Sequence, residues 1–291
     1  MLETITIYLI IIGQLWLLSY YYPNILMKRV EYILKHYPAS THPKLYPTEE
    51  GEGMVQKGVK RYKLITRLTL ALGSGLIILA SFDGMFIRHE INDAMVTLFA
   101  ILQFIPFMMM EASEFKHYKL MRAENQTVKR SADLKPRRYF DYISPYKFVL
   151  AVFLLVFYII FNLYRVGFDL SIGSDGFITL FTIILVNIFF SFVVYKILHG
   201  KKLDPHLSHK DRDRHIGSVI NSTIYASMGA SVFLLIYGLL QHYALDRYEA
   251  MALSIYFQLC AYFGPGIIFR SNPVEEINFE VYKKDTEAVS K

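Results

Sequence analysis

The sequence contains a single cysteine, Cys260, among its 291 residues. One cysteine cannot form an intramolecular disulfide, and its place in an apolar run is typical of a small buried hydrophobic residue. The sequence also lacks three common enzyme signatures: a phosphate-binding glycine loop, a Gly-x-Ser-x-Gly nucleophile turn and a His-Glu-x-x-His zinc motif. We therefore expect neither a disulfide-stabilised scaffold nor an enzyme of those classes.

Charged residues are almost missing from several long apolar runs, although they are plentiful between them. Hydrophobic residues make up 54% of the chain and the mean hydropathy is +0.31, whereas soluble domains contain about 45–50% apolar residues. Seven runs approach the roughly 20 residues that a helix needs to cross a bilayer. They cover about 4–22, 64–82, 94–111, 147–166, 176–197, 219–242 and 250–269.

Backbone groups in lipid must be hydrogen-bonded within their own segment, and helices satisfy this requirement. We therefore predict an all-α membrane protein, a bundle of about seven transmembrane helices that forms a single domain over residues 1–291.

The basic residues are distributed unevenly between these runs. Of the 31 Lys and Arg residues, 27 fall in or at the ends of alternate connecting segments and the tail, and three fall in the other loops. Cytoplasmic loops carry the excess of Lys and Arg. We therefore expect the N-terminus outside, the C-terminus in the cytoplasm, and a plasma-membrane location such as a bacterial inner membrane. The expected cytoplasmic segments are about 23–63, 112–146, 197–217 and the tail 270–291.

Basic and aromatic residues lie together just before the fourth run. This combination is typical of a membrane interface, where cations meet lipid phosphates and aromatic rings lie at headgroup depth. The candidate contacts with lipid headgroups or a protein partner are Arg137, Arg138 and Tyr139, with Lys201 and Lys202 in the next basic segment. No nucleic-acid-binding motif accompanies them, so the expected binding partners are membrane lipids or a protein at the cytoplasmic face, and not nucleic acid. The oligomeric state is left open.

The stretch "DPHLSHKDRDRH", residues 204–215, concentrates three histidines and three aspartates. Its candidate metal ligands are His206, His209, Asp211 and His215. Imidazole suits several transition metals, but structural zinc sites usually offer four ligands at recognisable spacing, often with cysteine. We favour a charged anchor and contact loop, in which the aspartates pair with the interleaved cations, and expect no cofactor.

Small residues and helix breakers mark two features of the later runs. A stripe in the sixth run favours close helix packing and consists of Ser218, Ser222, Ala226, Gly229 and Ala230. Bends or breaks are expected at Pro106 in the third run and at Gly264, Pro265 and Gly266 in the seventh.

Two classes of function fit these observations. Ionisable residues are rare inside the runs, which favours a non-catalytic membrane protein: a transport protein, a sensor or a subunit of a membrane complex. The alternative is a membrane enzyme, with or without a metal ion, that acts on a lipid or lipid-linked substrate. It would combine the histidine-rich loop with Glu111, His117 and the arginines before the fourth run.

Overall fold

The computed structural model describes residues 2–48, 50–88, 90–124, 137–200 and 202–284. The chain is 81% helix, and the described residues contain no strand. Seven helices are long and apolar enough to cross a membrane. The predictions of an all-α chain and of seven such helices are therefore confirmed.

The first span consists of two α-helices joined by a π-helical segment, Trp16–Tyr21. The seventh span is divided at Gly264, which ends one helix, while Pro265 begins the next. In chain order the helices are α1 (Leu2–Leu15), α2 (Tyr22–His36), α3 (Gly51–Phe82), α4 (Asp93–Glu124), α5 (Pro145–Arg165), α6 (Asp175–His199), α7 (His209–His242), α8 (Glu249–Phe263) and α9 (Pro265–Ser271).

Several helices continue well beyond their apolar runs. The α7 helix contains 34 residues, about 50 Å at 1.5 Å per residue, whereas the hydrocarbon core of a bilayer measures about 30 Å. Backbone hydrogen bonds do not depend on lipid, so a helix need not stop at the membrane surface. Much of the segments predicted as basic connecting loops, such as 23–63 and 112–146, is consequently helical.

The connecting segments gather at two ends of the bundle. We call the end that holds residues 37–48, 202–208 and 272–284 the basic end. There, the Tyr282 hydroxyl donates to Asp204 and the Phe279 ring stacks on Tyr37. At the opposite, or far, end the Tyr248 hydroxyl donates to Glu3 Oε1 at 2.7 Å.

The helices pack in two groups. In the first, α8 lies against α1 and α4, and α3 lies against α4; in the second, α7 lies against α5 and α6. The α7 helix also contacts α8 and α9 and so joins the groups. Large apolar side chains remain exposed along the outer faces, for example Leu68, Leu72 and Leu76 of α3, as expected for lipid-facing surfaces.

Candidate functional site

The chain after α9 folds back under the bundle at the basic end. Val274, Phe279 and Tyr282 are buried against Met121 of α4. The Phe279 ring stacks on Tyr37 at a centroid distance of 4.0 Å. Residues 272–284 therefore form part of the folded basic end. Their apolar residues are the signal in the sequence that could have indicated this packing.

Two aspartates of the stretch 204–215 form hydrogen bonds with this folded tail. Asp204 is buried and accepts hydrogen bonds from the Tyr282 hydroxyl and, at 2.8 Å, from the backbone N–H of His206. Asp211 is also buried and accepts from the Ser208 hydroxyl at 2.7 Å and from the Asn278 N–H at 3.1 Å. The Ser208 hydroxyl in turn caps the start of α7. Both carboxylates thus link the loop before α7 to the tail.

The charges of this stretch make contacts outside it. Asp213 accepts from Arg137 at 3.3 Å, and Arg214 pairs with Glu276 of the tail at 3.1 Å. Arg212 donates to the carbonyl of Gly200 at 3.1 Å. The expectation of pairing with interleaved neighbours therefore missed these partners, because packing brings α7 against both the tail and the segment before α5.

The four candidate metal ligands have different surroundings. His206 precedes α7 and lies edge-on to Tyr282, with ring centroids 6.2 Å apart, while His209 is exposed at the start of the helix. Asp211 is engaged in the cap, and His215 lies two turns into α7 from the cap. Among the residues that the structure describes, no group of three His, Cys, Asp or Glu side chains could hold a metal ion.

The arginine and aromatic residues before α5 form a compact group. The rings of Tyr139, Phe140 and Phe148 meet edge to face, with centroids 5.3–5.8 Å apart. Burial raises the pKa of the Tyr139 hydroxyl. Arg138 is exposed beside this group, and Arg137 contacts Asp213. Of the related lysines, Lys202 donates to the Leu207 carbonyl at 3.2 Å, and Lys201 lies outside the described residues.

A partly buried group of titratable side chains lies between α2, α4 and α7. Glu114 of α4 accepts from the Tyr118 hydroxyl at 2.6 Å. Its carboxylate interacts electrostatically with Arg29, His117 and His215. His117 was considered in the sequence, but Glu114 was not. The two are three residues apart on one helix, a spacing that could have indicated a shared face.

The expected helix breakers differ in their effect. The α4 helix continues through Pro106 from Asp93 to Glu124. The seventh span breaks at Gly264, and Gly266 lies against Tyr22, where an added Cβ would be 2.4 Å from the hydroxyl oxygen. The π-helical segment that ends beside Tyr22 was not expected, because no proline or glycine lies within it.

The small residues of the sixth run are not equally packed. Ser218 and Ala230 are buried, while Ser222, Ala226 and Gly229 are partly buried. A Cβ added at Gly229 would meet no atom within 4 Å, whereas one at Gly238 would lie 2.9 Å from the Phe161 ring. The tightest glycine contact of α7 is therefore outside the predicted stripe.

Three uncharged polar side chains meet inside the first helix group. Gln14 of α1 donates to Gln103 of α4 at 2.8 Å, and Ser254 of α8 donates to Gln14 at 2.5 Å. All three are fully buried. Hydrogen bonds of this kind hold helices together within lipid.

No protein-family model, no curated protein and no solved structure matches this chain.

Proposed function

We propose that this chain is a non-catalytic multi-pass protein of a plasma membrane, such as a bacterial inner membrane, with its basic end in the cytoplasm. In this proposal it serves as a transport protein, a sensor or a subunit of a membrane complex. The basic end supplies the contact with anionic lipid headgroups or a protein partner. The observation that carries the proposal is the charge difference between the two ends of a bundle of seven membrane-length helices.

The positions of the charges support this orientation. Three arginines lie in or beside the connections of the far end: Arg88, Arg165 and Arg247. Each lies near an acidic or amide side chain. Arg88 pairs with Glu90 at 2.8 Å, Arg165 donates to Gln241 at 3.0 Å, and Arg247 lies 3.6 Å from Glu3. In the sequence, the remaining basic residues, except Arg67, fall in or next to the segments that alternate with these connections. A cytoplasmic location of the basic end follows from the Lys and Arg excess.

The aromatic group before α5 supports a headgroup contact. Phe140 and Tyr146 are exposed at the start of a membrane-length helix, where aromatic rings favour the boundary between lipid and water. Exposed Arg138 lies beside them and offers a cation at the same depth, where a lipid phosphate would lie.

Cysteine labelling in intact cells tests the orientation. In a Cys260→Ser background, a membrane-impermeant maleimide should label Ile172→Cys at the exposed far end and not His209→Cys at the basic end. After the membrane is permeabilised, both positions should react. Labelling of position 209 and protection of position 172 in intact cells would reverse the proposed orientation.

A second candidate, an enzyme that acts on a lipid or lipid-linked substrate, is favoured by the group around Glu114. A carboxylate near two imidazoles could supply general acid and base chemistry. Turnover of a lipid by the purified protein that is lost in Glu114→Gln, with the fold retained, would favour this candidate over the first.

A further inference from the structure

Four deeply buried polar atoms of the first helix group have no hydrogen-bond partner among the described residues. They are Ser19 Oγ, Tyr62 OH, Thr66 Oγ1 and Gln103 Nε2. Ser19 and Gln103 are fully buried, and Tyr62 and Thr66 are 9% and 7% exposed. A buried polar group without a partner is costly, so each such group calls for an explanation.

Other helical hydroxyls of the bundle avoid this cost by a local hydrogen bond. Ser81, Ser191, Ser218, Thr223 and Ser231 each donate to the carbonyl four residues earlier. Ser19 and Thr66 make no such bond. Tyr62 and Thr66 lie close enough along α3 for their hydroxyls to interact, and neither has a hydrogen-bond partner elsewhere among the described residues.

Ser19 lies in the π-helical segment Trp16–Tyr21. This segment contacts α3, α4 and α8. Its end is marked by a hydrogen bond from the Tyr22 N–H to the Leu17 carbonyl, five residues earlier. Such π-turns in helices often occur at functional sites.

Helix geometry places the unpartnered atoms at successive levels along the first span. Leu15 touches Gly73 of the antiparallel α3, so that Ser19, one turn further along, comes level with Thr69 and Thr66. Gln14, which pairs with Gln103, precedes Ser19 by five residues. At a rise of 1.5 Å per residue, it lies about 7 Å from Ser19 along the helix axis, toward the N-terminus. We call the set Gln14, Gln103, Ser254, Ser19, Thr66 and Tyr62 the polar seam.

We propose that the polar seam binds water molecules, which extend from the basic end of the bundle to the buried Gln14–Gln103 pair. Water both donates and accepts hydrogen bonds, so it can satisfy hydroxyl and amide groups together. Buried waters in proteins typically bind two to four such groups. The seam contains no charged side chain, so a hydrated inlet of this kind suits an uncharged polar solute rather than an ion. The polar seam also lies next to the helix break at Gly264. Gly266, just after the break, contacts Tyr22, which directly follows the π-helical segment that contains Ser19.

The accessibility of introduced thiols tests this proposal in protein reconstituted into nanodiscs. Both ends of the bundle face water in a nanodisc, so the result does not depend on the orientation of the protein in a membrane. The variants Ser19→Cys and Thr66→Cys are compared with Ser231→Cys, all in a Cys260→Ser background. Ser231 is a matched control, because it is 1% exposed and its hydroxyl donates to the Ser227 carbonyl. The reagent 2-hydroxyethyl methanethiosulfonate, which is polar and uncharged, should modify the seam thiols about tenfold faster than Ser231→Cys, because reaction requires access and an ionised thiol.

Radiolytic footprinting of the protein without substitutions is a second measurement that does not depend on the folding of a variant. Hydroxyl radicals formed from bound water should oxidise Tyr62 faster than Tyr46, which is comparably buried but donates to the Tyr37 carbonyl. Faster modification of either seam thiol, or faster oxidation of Tyr62, supports bound water. Seam thiols no faster than Ser231→Cys, together with a Tyr62 no faster than Tyr46, would show that the seam is dry and the proposal wrong.

Discussion

At the residue scale, two glycines of α7 have opposite surroundings although the sequence presents them alike. The position of Gly229 has open space, and Gly238 lies against Phe161 and Arg165 of α5. Hydrophobicity and small size cannot distinguish them, since only the neighbouring helix decides how much room a side chain has.

Alanine substitution should separate the two positions. Gly238→Ala places a methyl group 2.9 Å from the Phe161 ring and should lower the free energy of unfolding by roughly 1–3 kcal/mol, the usual cost of overpacking. In Gly229→Ala the added methyl group has no atom within 4 Å. This substitution should raise the free energy of unfolding by about 0.5–1 kcal/mol, because glycine weakens a helix interior. Thermal unfolding in detergent measures both, and a larger loss for Gly229→Ala would contradict this expectation.

At the element scale, the tail and the segment 37–46 form a small core outside the apolar runs. His42 is 5% exposed there and lies edge-on to Tyr37, with ring centroids 5.0 Å apart. Its Nδ1 lies 2.8 Å from the Thr41 hydroxyl, and its Nε2 has no partner among the described residues. Burial lowers the pKa of His42, and Lys283 lowers it further, while Glu280 opposes the shift.

This lowered pKa predicts that the tail packing weakens in mild acid. The unfolded segment binds a proton near pH 6.5, whereas the packed imidazole stays neutral to lower pH. The contribution of His42 to stability is therefore complete above about pH 6.5 and declines as the pH falls below that value.

Hydrogen exchange of residues 274–284 between pH 5 and 8, corrected for intrinsic rates, measures this effect. Exchange should increase in acid, and His42→Phe should reduce that increase. His36→Gln, at an exposed position, is the matched control and should behave like the unsubstituted protein. An unchanged acid response in His42→Phe would assign the pH dependence to another group.

At the scale of the whole molecule, the first helix group includes helices from both ends of the chain. The α8 helix packs on α1 and α4, and Ala261 is fully buried against Leu18 and Tyr22. Helices in membranes associate largely through close packing of such small residues. The chain connection between α4 and α5 is therefore not what holds α8 in place.

Two fragments separated between Glu124 and Arg137 should consequently associate when they are expressed together. Ala261→Phe in the second fragment should prevent co-purification, because the larger side chain overfills a fully buried position. Leu259→Phe, at a position 43% exposed, is the control and should leave association intact. Failure of the unsubstituted fragments to associate would contradict this view of the packing.

The sequence alone determined the number and approximate position of the membrane-length helices, because apolar length and composition are properties of contiguous residues. It also identified residues 204–215 as a charged segment before the sixth apolar run. It missed the length of the helices beyond their apolar runs and the π-helical segment, since a helix continues as long as its own hydrogen bonds and packing allow.

Only the tertiary structure decided which distant residues meet. Tyr282 with Asp204, Arg137 with Asp213 and Ser254 with Gln14 are separated by 78, 76 and 240 residues. Such pairs depend on how the helices cross and where the tail returns, and the hydrophobic pattern of one segment carries no information about either. For the same reason the polar seam could not be predicted: each of its residues is an ordinary neutral side chain, and the set is unusual only because it is buried and four of its polar atoms have no partner among the described residues.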